Sequence, residues 1–183
     1  STFVSTTAGS VIVLASVNVA PAFSAGYDGP AFLSDATGGN FAVNFSTSGF
    51  SLTTHDGAFK TATTAASLGS LHLMVARWDG AAIGVIVDDG AETTTACGTL
   101  STLANTLRVG ANYAAAAFLD GRIRTLLTIS SKISDADVAL LLRWARACRG
   151  LGWSWASYAP TVLVEPYAYS GTAPGRWHET ISA

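Results

Sequence analysis

The 183 residues suffice for one domain with a sizeable core and leave little room for a second. Charged residues make up 12% of the chain against an apolar share of 49%, about half the charge usual in soluble domains, so the surface is weakly charged. The formal net charge of −2 gives no electrostatic pull toward nucleic acid or anionic lipid, and no apolar run reaches the roughly 18 residues that read as a membrane-spanning helix.

The chain opens on Ser-Thr-Phe-Val, with no positive region ahead of an apolar one, so no signal peptide is expected. Residues 10 to 19 alternate as a strand, with Val13, Ala15, Val17 and Val19 on one side. Phe41, Val43 and Phe45 share a face, with Asn44 opposite. The runs Leu71 to Trp78 and Ile83 to Val87 are apolar on both sides, the pattern of central strands in a sandwich. Ile123, Thr125, Leu127 and Ile129 alternate with Arg122, Arg124 and Thr128, which predicts a strand with one buried and one wet face. Turn residues punctuate these runs at the intervals of an all-β sandwich.

One helix is predicted, over about 134–149. Ser134 is a suitable N-cap, and Asp137 three residues on completes a pattern like a capping box. Val138, Leu141, Leu142 and Ala145 form one apolar stripe. Arg143, Arg146 and Arg149 in the last turns read as a solvated face that complements the helix dipole, in preference to a phosphate or carboxylate site. Gly150 is a natural stop. Residues 1–150 are therefore expected to form a sandwich domain with a terminal helix. Residues 151–183 hold Trp153, Trp155, Tyr158, Tyr167, Tyr169 and Trp177 among prolines, without long periodicity, and are expected to form an extended aromatic arm. These six aromatics are the candidate ligand- or partner-binding residues, and through them an oligomer or a contact with other subunits is expected.

Asp-Gly occurs at Asp28-Gly29, Asp56-Gly57, Asp79-Gly80, Asp89-Gly90 and Asp120-Gly121. The pair suits a hairpin turn whose central residues need positive φ, so these aspartates are expected to serve the backbone. The functional alternative is calcium, which loop carboxylates can hold; Asp28 and Asp35 are the candidates, and no compact ligand motif accompanies them. Few acids remain for catalysis. Glutamate occurs only at Glu92, Glu165 and Glu179, and no strand places two acids on one face, as glycoside hydrolysis requires of its paired carboxylates. A Ser-His-acid triad needs only spatial neighbours and stays open, although no G-x-S-x-G elbow is present. His72 reads as a packed or edge-facing strand histidine in preference to a catalytic one, and His55 and His178 have no evident partner. Cys97 and Cys148 fit either one disulfide or two buried thiols, with the thiols preferred.

Three stretches in order, "LHLMVARWDGAAIGVIVDDG", "LRVGANYAAAAFLDGRIRTLLTISSKIS" and "SDADVALLLRWA", resemble the strand, Asp-Gly turn, strand and final helix of the laminin G-like, concanavalin A-like family. The resemblance runs over roughly residues 8 to 148. It implies an all-β, antiparallel two-sheet jelly-roll sandwich. It also implies a non-catalytic module for glycans or cell-surface receptors, often calcium-assisted; the Glu-x-Asp-x-x-Glu strand of the family's glucanases is absent. Together with the unled N-terminus, the resemblance points to display on a larger assembly, a bacteriophage virion surface or tail, with secretion as the alternative location. A purely structural decoration subunit is the second expectation for function and a glycan hydrolase or lyase the third.

Overall fold

In a computed structural model of the protein, residues 4–18, 30–36, 40–46, 48–101, 106–115 and 117–150 are described, with side chains up to residue 147. They form two antiparallel five-stranded sheets and one helix. Sheet A contains β1 (Gly9–Val17), β6 (His72–Trp78), β7 (Ala82–Val87), β8 (Thr93–Ala96) and β10 (Gly121–Ile129), in the order β10-β1-β6-β7-β8. Sheet B contains β2 (Ala31–Asp35), β3 (Phe41–Ser46), β4 (Gly49–His55), β5 (Phe59–Thr64) and β9 (Leu107–Val109), in the order β5-β4-β3-β2-β9. The helix α1 spans Asp135–Gly150. The all-β sandwich with one C-terminal helix is thus the observed architecture. The expected arm over 151–183, with Trp153, Trp155, Tyr158, Tyr167, Tyr169 and Trp177, lies outside the described residues, as do Asp28 and Val19.

Period-two alternation decides which residues meet between the sheets. Val11, Val13, Ala15 and Val17 of β1 and Met74, Ala76 and Trp78 of β6 face Phe41, Val43 and Phe45 of β3 and Phe50 and Leu52 of β4. Trp78 is 1% exposed; Phe41 packs edge-on to it with ring centroids 5.4 Å apart, and its indole N–H donates to the Ser5 carbonyl at 2.9 Å. The indole is thus buried with its one donor satisfied. On the far side of sheet B, Ala42, Asn44, Ser51 and Thr53 are small or polar and still buried, and Ser51 donates to Asn44 across the strand pair.

The second apolar face of β1, β6 and β7 has a different cover. Ile12, Leu14, Leu73, Val75 and Ile86 pack with Ile133, Val138 and Ala145, and Leu141 and Leu142 join them. Helix α1 therefore lies on the outside of sheet A and makes a third layer. Its predicted stripe is the stripe that packs, and its capping box is formed as expected. The Ser134 hydroxyl and N–H both donate to Asp137 Oδ2, at 2.7 and 3.1 Å, and the Asp137 N–H donates to Ser134 Oγ at 3.2 Å. Those bonds hold the Asp137 carboxyl below its ordinary range.

Strand β10 differs from its predicted pattern. Leu14 pairs with Thr125 and Ala15 with Ile123, so Arg124 is an extra residue in a β-bulge. The bulge reverses the facing of the strand along its length. Ile123 joins the core between the sheets, whereas Leu127 and Ile129 join the helix side, and Leu126 is the residue turned inward after the bulge. The strand has no single wet face.

Gly9 stands opposite Trp78 in the β1–β6 pair, and a Cβ there would run into the six-membered ring of the indole. The ring is held by Phe41 and by Ser5, so it has little freedom to retreat. Gly9→Ala is expected to cost roughly 1–3 kcal/mol by overpacking, read as a lower urea midpoint at unchanged m-value.

Candidate functional site

Of the Asp-Gly aspartates, Asp79 and Asp56 serve the backbone as predicted, Asp89 and Asp120 do not, and Asp28 lies outside the described residues. Asp79 accepts the N–H groups of Ala81 and Ala82 at 3.1 and 3.0 Å, while Gly80 takes φ +79°. This closes the β6–β7 hairpin with an Asx turn. Lys132 adds an ion pair at 2.7 Å. Hydrogen bonding from Lys132 first, and from the two N–H groups next, lowers the Asp79 carboxyl to about 2. Asp56 accepts from Ala58 and Gly98, and Gly57 sits at φ +112°. The β7–β8 turn departs from expectation. Asp88 rather than the Asp89-Gly90 pair takes the left-handed conformation, at φ +52°. Asp120-Gly121 is not a hairpin centre: Gly121 begins β10 because a Cβ there would strike the Ser16 carbonyl, and Asp120 accepts from the Asn18 amide at 3.1 Å.

On the helix side of sheet A, Arg77 is 5% exposed, and its guanidinium is the hub of a charge cluster. Nε and Nη2 donate to the two carboxylate oxygens of Glu92 at 2.8 and 2.7 Å, a bidentate pair. Nη2 also donates to Asp135 at 2.6 Å and Nη1 to the Ile133 carbonyl at 2.9 Å. The Glu92 bonds above all, opposed by burial and reinforced by Asp135, hold the guanidinium proton more firmly than in water. Arg77 lies directly opposite Gly84 on β7, and a Cβ at 84 would overlap the Glu92 carboxylate. Glycine is present there because Glu92 must cross β7 to reach Arg77. The cluster ties the β7–β8 loop and the start of α1 to the centre of the sheet.

A groove of about 320 Å³ runs between α1 and the β7–β8 turn. Its floor is apolar, from Ile86, Val138, Ala139 and Leu142, and Asp88, Asp89, Glu92 and Asp135 stand around it. Each carboxylate has a partner: Glu92 and Asp135 have Arg77, Asp88 has His72 at 2.7 Å, and Asp89 has Arg146 at 2.7 Å. Four acids beside one groove were not foreseen from sequence, because they come from one turn, one loop and a helix start. The arrangement can accept hydrogen bonds from hydroxyl or amine donors above an apolar surface.

The other predicted positions are dispersed. Asp35 ends β2 at 1% exposure, and its Oδ1 has no hydrogen-bond partner among the described residues. Asp28 lies outside the described residues, and among the described residues no group of three or more His, Cys, Asp or Glu could hold a metal ion. His55 has the partners that sequence did not supply. Its Nδ1 lies 2.9 Å from the Ser101 hydroxyl, and its ring meets Phe59 edge-on at 4.9 Å. Of the arginine trio, Arg146 pairs with Asp89, Arg143 is exposed, and the Arg149 side chain lies outside the described residues. Cys97 is a buried free thiol, and burial pushes it above its ordinary value; the Cys148 side chain lies outside the described residues. Among the described residues no helix is long and apolar enough to cross a membrane.

No family model matches the sequence, and no curated protein matches it. Among solved structures, a Trypanosoma rangeli sialidase in complex with the inhibitor DANA is similar at 10% identity with a TM-score of 0.48, over 75% of this chain and 23% of that one. The chain thus spans about a quarter of the sialidase's length.

Arg77→Met leaves Glu92 and the Ile133 carbonyl without their donors. It is expected to destabilise the fold by roughly 3 kcal/mol, measured by chemical denaturation, and more than Asp135→Asn, whose carboxylate is 89% exposed. Asp79 gives an acid-side prediction. Its folded value lies below its unfolded one, so its stabilisation is complete above pH ~4 and is lost as pH falls toward about 2. Asp79→Asn is expected to cost about 1 kcal/mol at neutral pH, after allowance for its partial exposure, and to flatten the stability curve over that window.

Proposed function

We propose that this chain is a glycan-binding module carried on the exterior of a larger particle, a bacteriophage virion in the first instance. The helix–sheet groove is the observation that carries the reading. A sugar ring offers an apolar C–H face and a fringe of hydroxyl donors. The groove offers an apolar floor of Ile86, Val138, Ala139 and Leu142 with carboxylate acceptors around it. Polar groups placed about an apolar surface fix orientation in small-ligand sites generally. The two-sheet architecture and the resemblance of residues 8 to 148 to laminin G-like and concanavalin A-like modules support the same reading. One such groove binds weakly, so useful affinity comes from several copies presented together.

A multimeric preparation of the full chain is expected to bind a restricted set of glycans on an array, and to do so equally with and without chelator. Ala139 is exposed on the groove wall, so Ala139→Trp blocks the groove without entering the core. Its affinity is expected to fall by about tenfold or more, ~1.4 kcal/mol per tenfold. Failure of the wild-type multimer to bind any glycan, or equal binding by Ala139→Trp, refutes the assignment.

A further inference from the structure

We infer that Ser67, His72 and Asp88 form a serine-hydrolase relay that cleaves small acyl esters. Ser67 is exposed in the loop between β5 and β6, and its hydroxyl lies 2.9 Å from His72 Nε2. His72 opens β6, with its side chain 13% exposed, and its other ring nitrogen, Nδ1, lies 2.7 Å from Asp88 Oδ2. Nucleophile, base and orienting carboxylate thus stand in one line at hydrogen-bond distance, the recurring geometry of acyl transfer on unrelated folds.

The carboxylate is itself fixed. Asp88 Oδ1 accepts the Leu73 N–H at 3.1 Å, and the Asp88 N–H donates to the Leu73 carbonyl at 2.8 Å. Asp88 holds φ +52° in the β7–β8 turn, a left-handed conformation that Asp adopts more readily than most residues. An anionic partner at Nδ1 selects the tautomer with its proton there, which leaves the Nε2 lone pair facing the serine hydroxyl. Once Nε2 is protonated it also has the Ser67 carbonyl within 3.1 Å, an acceptor for the imidazolium.

The chemistry balances with water as the only co-reactant. Ser67 Oγ bonds to the acyl carbon as its proton passes to His72 Nε2. The bond from the acyl carbon to the alcohol oxygen breaks, and the alcohol leaves with that proton. Water then adds to the acyl-serine, giving one proton to His72, which returns it to Ser67 Oγ as the carboxylic acid departs. His72 and Ser67 are the catalytic residues, and Asp88 is a positioning residue that acts through the imidazole. The relay shares Asp88 with the glycan groove, and its test uses no glycan, so failure of either reading is seen separately.

The probe is an alkyl fluorophosphonate, which esterifies an activated serine and releases fluoride. The full chain is expected to gain one adduct by intact mass, mapped by peptide sequencing to Ser67, and to hydrolyse p-nitrophenyl acetate. Ser67→Ala, on an exposed loop where folding is not at stake, is expected to lose both. His72→Gln is expected to slow labelling by about 100-fold or more. Asp88→Asn, whose amide can still accept the Leu73 N–H but presents no anion to Nδ1, is expected to slow labelling by about tenfold at an unchanged denaturation midpoint; a merely structural carboxylate would leave the labelling rate in place. No adduct on the wild-type chain, an adduct that survives Ser67→Ala, or labelling of His72→Gln at the wild-type rate overturns the assignment.

Discussion

A sheet whose central strands carry isoleucine, leucine and valine on both faces has to be covered twice. In this protein β1, β6 and β7 are such strands, and the rest of the molecule is arranged to cover them. Sheet B, rich in phenylalanine on its inner side, covers one face. Helix α1 covers the other and turns a two-layer sandwich into three layers. At roughly 25 cal/mol per Å² of apolar surface, the burial of Ile12, Leu14, Leu73 and Val75 beneath one helix favours that docking strongly. The groove between α1 and the β7–β8 turn is a by-product of a cylinder resting on a twisted sheet.

Charge is then used sparingly and where the layers meet. The chain has few ionisable residues, and many of them sit in turns, caps or the Arg77 cluster. Arg77 is buried on the helix side of sheet A, where an unpaired cation would be costly, and its donors reach Glu92, Asp135 and the Ile133 carbonyl. This satisfies the guanidinium and fixes where the helix begins. The same economy appears at Asp79 and Asp137, whose carboxylates accept local N–H groups and so specify a hairpin and a helix start.

Much of this was legible before any coordinates. The period-two runs of β1 and β3, the two-sided apolar runs of β6 and β7 and the capped stripe of α1 are local patterns, and local patterns survive folding. Three things were not legible. The cover for the second face of sheet A is a tertiary choice, since an apolar outer face says only that something must lie there. The bulge at Arg124 breaks the assumption of unbroken alternation on which the facing of β10 rested. The grouping of Asp88, Asp89, Glu92 and Asp135, and the meeting of Ser67, His72 and Asp88, depend on distant segments brought together by hairpin register. The turn reading holds at Asp79-Gly80 and Asp56-Gly57 and fails at Asp120-Gly121, and the residue at positive φ in the β7–β8 turn is Asp88, one position before the Asp-Gly pair.

Gly84 links two of these themes. It sits in a strand without a side chain because the Glu92 carboxylate occupies that space on its way to Arg77. Positions 77, 84 and 92 are consequently one steric and electrostatic unit rather than three. A methyl at 84 would push the Glu92 carboxylate away from Arg77 and leave the guanidinium to Asp135 and the Ile133 carbonyl.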